Sequence, residues 1–250
     1  MKISIITVAY NSSATISDTI KSVLDQTYFD IEYIIVDGNS KDNTMSIVKD
    51  YEPIFNGRMH WISEPDKGLY VAMNKGIKMA TGDFVGILNS DDTFNSNTVV
   101  EEIVDFHKQN NIEASVGNII QHKESGKIVR LYSSKSWNPE KLKIGFMPPH
   151  PSIFFKRELF KKYGNYVLGF KIGADYELIT RFFLKNKIIW KYSGITTTSM
   201  LVGGLSSSGA QSYKLITKEI QKALTMNGIP FSPFKIKMRF VLKIIGFLKK

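Results

Sequence analysis

The chain has 250 residues, 43% of them hydrophobic and 22% charged, with no cysteine and a formal net charge of +10. These values describe a folded globular protein and exclude disulfides, thiolate metal sites and cysteine nucleophiles. No run of about 18 apolar residues is available to cross a bilayer. The amino terminus enters a strand-like segment without an apolar signal core or a small-residue cleavage site, so a cytoplasmic location is expected. The positive charge implies a polyanionic partner, whether nucleic acid, nucleotide or anionic membrane surface.

Residues 3–10, Ile-Ser-Ile-Ile-Thr-Val-Ala-Tyr, form a β-branched run, and Asn11-Ser12-Ser13 then offer turn and helix-capping groups. Ile16, Ile20, Val23 and Leu24 follow at helical spacing. A second strand over 33–36 ends at Asp37-Gly38-Asn39-Ser40, and the next helix carries Met45 and Val48 on one face. A third strand is expected over 59–62, a helix over 70–80 and a strand over 84–88, which runs into Asn89-Ser90-Asp91-Asp92. Strands alternating with helices predict a mainly parallel sheet with right-handed crossovers. After a helix over 98–108 the pattern changes. Residues 114–121 and 127–132 read as a hairpin joined through Glu124-Ser125-Gly126, with strands at 152–155 and 188–192 and helices at 157–163 and 174–185. No repeat or low-complexity linker interrupts the chain. The expected fold is therefore α/β, a mainly parallel, mixed central sheet flanked by helices. It forms one domain over 1–228, with a nucleotide-binding half at 1–108 and an acceptor-side half at 109–228, followed by a helical extension at 229–250. Gly203 to Gly209 reads as a flexible loop, either a lid or a plain connector.

Three polar clusters fall just after predicted strands: Tyr10-Asn11, Asp37 to Ser40, and Asn89 to Asp92. In a doubly wound sheet the carboxyl ends lie side by side, and ligands bind there. The paired acids of the third cluster suit Mg²⁺ or Mn²⁺ carrying a phosphate, although a turn capping the next helix is the plainer alternative. The absence of a glycine-rich phosphate cradle points to a nucleotide diphosphate neutralised mainly by metal.

Four ordered segments over the first hundred residues resemble the family 2 glycosyltransferases of GT-A fold: Ile5 to Asn11, Val36 to Thr44, Ser63 to Gly76 and Asn89 to Asp92. The later Pro149-His150-Pro151-Ser152 and Gly173-Ala174-Asp175-Tyr176 are similar to the bacterial cell-surface polysaccharide members. The resemblance implies that Thr7, Ala9, Tyr10 and Asn11 line the nucleotide pocket, that Asp37 contacts the base, and that Asp66 lies on the nucleotide. It also places Asp91 at the ribose or donor sugar, Asp92 on Mg²⁺ or Mn²⁺, and Asp175 as general base in an inverting transfer. His150 is a diphosphate or acceptor contact, or only a rigid-turn residue between prolines. Where many relatives carry an acid between the Tyr70 and Asn74 positions, this chain has Val71.

The implied activity is metal-dependent transfer of a hexosyl or N-acetylhexosaminyl group from a nucleotide-sugar donor, a UDP-sugar by preference, to a saccharide or lipid-linked acceptor. A sugar-nucleotide pyrophosphorylase is the alternative, but it needs a glycine- and base-rich loop after the first strand, where Ala9 to Ser13 offers neither. Charge alone suggests a nucleic-acid binder. From Lys235 onward six bases and no acid accompany Ile236, Phe240, Ile244 and Phe247 near helical spacing. That pattern fits an interfacial helix at the inner face of the cell membrane, or a helix packed on protein.

Overall fold

The computed structural model describes residues 1–202 and 209–239. The expected lid segment and most of the basic tail, from 240 on, therefore lie outside the described residues. Two compact units are present. The first comprises Met1–Lys135, Pro148–Asn165 and Ile189–Val202; the second comprises Ser136–Met147, Tyr166–Ile188 and the chain from Gly203. This division does not follow the expected halves at 1–108 and 109–228, because later strands complete the sheet of the first unit.

In the first unit the strands are β1 (Ile3–Ala9), β2 (Ile31–Asp37), β3 (Met59–Ser63), β4 (Phe84–Ile87), β5 (Asp92–Phe94), β6 (Ala114–His122), β7 (Ile128–Tyr132), β8 (Ile153–Lys156) and β9 (Trp190–Leu201). They lie in the order β3-β2-β1-β4-β8-β6-β9-β5, with β7 paired to β6. The pairings β3-β2, β2-β1 and β1-β4 are parallel. Strand order thus reverses at β1, whose chain passes first to β2 on one side and later to β4 on the other. Every residue of β1 and β2 is buried, as expected for strands covered on both faces by crossover helices.

Those helices are α1 (Ile16–Leu24), α2 (Thr44–Tyr51), α3 (Leu69–Met79) and α4 (Val99–Gln109), followed by α5 (Glu158–Tyr163). Their apolar spacing is what the sequence predicts: Ile16, Ile20 and Val23 of α1 are all buried. Helix α3 packs unusually close to β1 because Gly76 has no side chain. A Cβ there would lie 2.4 Å from Ile6 Cγ2.

The second unit contains α6 (Ala174–Ile179), which continues as a wider helical turn over Thr180–Lys185, then α7 (Gly209–Met226) and a helix over 233–239. In the basic tail Ile236 and Arg239 are buried, while Lys235 and Lys237 are exposed. At the described start of the tail Ile236 is therefore packed on protein, while Met238 and the preceding Phe234 are exposed. No helix among the described residues is long and apolar enough to cross a membrane.

At the amino-terminal edge of β1 and β2 a buried carboxylate fastens the sheet to the loop before β4. Glu32 accepts hydrogen bonds from Ser4 Oγ at 2.6 Å, Thr81 N at 2.7 Å and Thr81 Oγ1 at 2.7 Å, and meets Lys2 Nζ at 3.3 Å. Burial pushes its pKa up, but these donors outweigh burial and hold it at about 2, against 4.5 when free. A depressed carboxylate stabilises the fold at pH above 4.5, and that stability is lost as pH falls toward 2. Glu32→Gln should remove about 3 kcal/mol of the pH-dependent stability across this window. Urea unfolding from pH 6 to pH 2.5 checks it; an unchanged acid limb in the variant contradicts the assignment.

Candidate active site at the strand ends

The carboxyl ends of β1, β2, β3 and β4 share one edge of the sheet, and strand order reverses at β1, the place at which open α/β sheets take their ligands. Thr7 and Ala9, expected in the pocket, are buried within β1. Thr7 Oγ1 donates to Leu88 O at 2.8 Å and accepts from Tyr33 OH at 3.1 Å, so its side chain ties β1 to the end of β4. The chain emerges at Tyr10, which is 64% exposed, and Asn11, which adopts a left-handed φ of 49°.

Asp37 ends β2 opposite Ala9 and Ser63. Its carboxylate is buried and accepts from Ser40 N at 3.0 Å, from Ser40 Oγ, and from Ser63 Oγ at 2.6 Å. Ser40 Oγ also accepts from Asn11 N at 2.8 Å, and Asn11 Oδ1 accepts from Lys41 N at 2.8 Å. One polar relay therefore fixes the β1 and β2 loops to each other. Between the β1 and β4 loops the hydroxyls of Ser12 and Ser90 share a hydrogen bond at 2.9 Å. Asp66, after β3, forms an ion pair with Lys75 of α3, which also binds Glu64 at 2.7 Å. The other Asp66 oxygen, Oδ2, is buried without a partner. These hydroxyls and Lys75 were not singled out by the sequence, since no spacing rule reports which side chains meet across separate loops.

The acids after β4 separate by one residue into two environments. Asp92, expected in a loop, opens the short strand β5, which pairs antiparallel with β9. It is 1% exposed; Thr19 Oγ1 donates to its carbonyl at 2.8 Å and Asn89 Nδ2 to its carboxylate at 2.8 Å. Burial, then the charge of Asp91, pushes the Asp92 carboxyl up to about 7, only partly offset by Asn89. Asp91 is exposed and makes no ion pair or hydrogen bond among the described residues. No group of three or more histidines or acids able to hold a metal occurs among the described residues. The pair still fits a Mg²⁺-like ion, which takes one or two carboxylates and completes its shell with water and substrate phosphate.

His150 precedes β8, which runs antiparallel to β4 and starts near the end where β4 finishes, so it belongs to the same edge. Burial pulls its imidazole down to about 4, leaving it neutral near pH 7. It can exchange a hydrogen bond with a phosphate but brings no charge.

Asp175 belongs to the second unit, in the first turn of α6. Its Oδ1 accepts from Tyr176 N at 2.7 Å. Burial first, then the Asp175 charge, raises the hydroxyl pKa of the buried Tyr166 well above its ordinary value. The loop before α6 is clamped by Glu219 of α7, which accepts from Lys171 N at 2.7 Å and Ile172 N at 3.0 Å. Glu177 is buried and held by Arg181 at 2.9 Å and by Asn227 at 3.1 Å.

A family model described as glycosyl transferase family 2 matches residues 4–171. An uncharacterized glycosyltransferase of Mycobacterium tuberculosis is 34% identical over 181 residues, covering 72% of this chain and 68% of that protein. A PGL/p-HBAD biosynthesis glycosyltransferase of Mycobacterium bovis is 27% identical over 233 residues, covering 90% and 84%. Among solved structures, S. aureus TarS 1-349 in complex with UDP-GlcNAc superposes with a TM-score of 0.69 at 20% identity, over 88% of this chain and 66% of that one. The mannosyltransferase PcManGT of Pyrobaculum calidifontis, with GDP-Man and Mn²⁺, gives 0.68 at 17% identity, over 94% and 67%. At these identities the likeness to the solved structures is one of fold, and that fold is GT-A.

A buried carboxylate with a raised pKa costs stability once it ionises, and the cost is complete above the folded pKa of about 7. Asp92→Asn keeps the Asn89 contact and removes the charge. At pH 8 without divalent metal the variant should therefore be more stable than wild type, by about 4 kcal/mol, with the gain vanishing toward pH 4. Mn²⁺ should raise the melting temperature of wild type by more than that of the variant, which keeps Asp91 but loses the second charge. Equal stability of the two proteins at pH 8 would contradict the desolvated carboxylate.

Proposed function

The chain belongs to glycosyl transferase family 2, and from that premise we propose an inverting, metal-dependent transfer of one sugar from a nucleotide-sugar donor to a saccharide or lipid-linked acceptor in cell-surface polysaccharide or glycolipid synthesis. The observation that carries this reading is the row of polar side chains at the carboxyl ends of β1, β2, β3 and β4, flanking the point where strand order reverses. Tyr10 and Asn11 are exposed at that point and are the nucleotide contacts, with Thr7 and Ala9 supporting them from within β1. Asp37 and Asp66 fix the loops that hold the base and ribose, and each keeps acceptor capacity on its carboxylate for donor hydroxyls or base N–H groups.

Burial of Asp92 supports giving the cation's contact chiefly to Asp91, the accessible carboxylate of the pair, with Asp92 setting its position and adding charge behind it. A divalent cation held there supplies Lewis-acid stabilisation to the departing diphosphate. His150, neutral and buried at the same edge, donates a hydrogen bond to a diphosphate oxygen. Asp175 is the general base. Its carboxylate takes the proton of the acceptor hydroxyl as that oxygen attacks the anomeric carbon opposite the diphosphate.

A uridine nucleotide carrying a hexose or N-acetylhexosamine is the preferred donor, in keeping with the UDP-GlcNAc named for TarS. The biosynthetic role named for the mycobacterial relative favours a glycolipid or polysaccharide acceptor. A panel of nucleotide sugars with Mn²⁺ should raise the melting temperature for one donor above the rest, since a ligand that binds only the native state stabilises it by mass action. With that donor, Asp175→Asn should lower turnover by roughly 10²- to 10⁴-fold while leaving donor binding unchanged. Turnover retained by this variant would remove Asp175 as base, and no donor response at all would contradict the transferase site.

A further inference from the structure

We infer that the β6–β7 hairpin is a docking surface for an anionic lipid bilayer, set beside the donor end of the sheet. The hairpin turns through residues 123–127, closed by Lys123 N to Lys127 O at 3.0 Å and Gly126 N to Lys123 O at 2.8 Å, with Gly126 supplying a φ of 76°. Along β7, Ile128 is 59% exposed, Val129 45% and Leu131 48%. Strand side chains alternate between faces, so Val129 and Leu131 make one face of β7 apolar while Ile128 shares the other with Arg130 and Tyr132. Val202, 50% exposed, lies at the same end of the sheet, across β6 from Ile128, its N–H bonded to His122 O.

The surrounding charge selects the partner. Lys123 and Lys127 are exposed and pair with no carboxylate among the described residues, and Arg130 lies on the same strand, its guanidinium over the Tyr132 ring. Glu124 is the sole acid between residues 114 and 139. Apolar side chains flanked by bases and an aromatic ring suit the boundary between anionic headgroups and acyl chains.

Strand pairing fixes where this surface lies. Asp92 of β5 is opposite Met200 of β9, Met200 is opposite Gln121 of β6, and Gln121 is opposite Arg130 of β7. Three strand spacings, about 14 Å, therefore separate the acid pair from the hairpin. Strands β6 and β9 are parallel to each other and run in the direction of β4, so the turn leaves the sheet at the same edge as the donor-site loops. A bilayer on the hairpin would hold a lipid-linked acceptor close to that edge. This link to the acceptor rests on the transferase reading; the surface itself does not.

The test is flotation of the full chain with phosphatidylcholine vesicles, with and without phosphatidylglycerol, in the absence of donor. Wild type should float with the anionic vesicles. The bound fraction should fall roughly 10-fold or more in the triple variant Ile128→Ser, Val129→Ser, Leu131→Ser, and again in Lys123→Ser, Lys127→Ser, a pair of surface changes that leaves the strand intact. Either set of variants binding like wild type, or wild type failing to bind, would overturn the proposal. So would a dimer in sedimentation that the triple variant abolishes while vesicle binding persists, which would assign the strand to a second copy. Because no donor is present, failure of the transferase reading would leave these results untouched.

Discussion

The parallel register of β2, β1 and β4 is the constraint on which the rest depends. Ala9 pairs with Asp37 and Ile6 with Ile87, so three loops leave the sheet together. Backbone hydrogen bonds continue beyond the strands, from Gly38 N to Ala9 O at 2.8 Å and from Leu88 N to Ile6 O at 3.0 Å. The strands are buried on both faces and their order is enforced by packing, with α3 seated on β1 at Gly76. A one-residue slip would move the buried side chains to the wrong face and carry Asp37 away from Ser63. The chemistry at the edge is thus a consequence of core packing, transmitted through register.

Electrostatics at that edge divide labour between neighbouring residues. Asp91 and Asp92 differ by one position, yet the start of β5 takes Asp92 into the core and leaves Asp91 in solvent. The buried acid is costly when ionised, and a cation held by its neighbour would offset that cost. Lys75 performs a comparable service for Glu64 and Asp66, whose mutual repulsion it neutralises. In the second unit, Glu177 of α6 is joined to Arg181 in the turn after it and to Asn227 after α7, and Glu219 clamps the loop that opens α6.

Much of this was legible in the sequence because the first hundred residues are strongly periodic. The alternation of β-branched runs with helical spacing gave β1 to β4 and α1 to α4 within a few residues, and the polar clusters marked the strand ends. What was missed has identifiable causes. Strand β5 is three residues long and begins with an acid, so it resembled a turn. Strand β9 was expected to stop at 192, but its Ser- and Thr-rich continuation pairs with β6 as far as Leu201. Helix α7 follows the Gly- and Ser-rich segment and was not anticipated. The hydroxyl relay of Ser40 and Ser63 on Asp37 depends on contacts between separate loops, which periodicity does not encode.

The most direct test of the account is calorimetric titration of a nucleoside diphosphate into the protein with and without Mn²⁺, in wild type and in Asp91→Asn. Asp91 is exposed and holds nothing else in place, so the variant should keep its melting temperature. The account predicts that Mn²⁺ tightens nucleotide binding in wild type by at least roughly 10-fold, through the charge it adds at the diphosphate, and that Asp91→Asn abolishes this gain. Binding that ignores Mn²⁺, or a gain that survives in Asp91→Asn, would contradict a metal-assisted donor site at the ends of these strands.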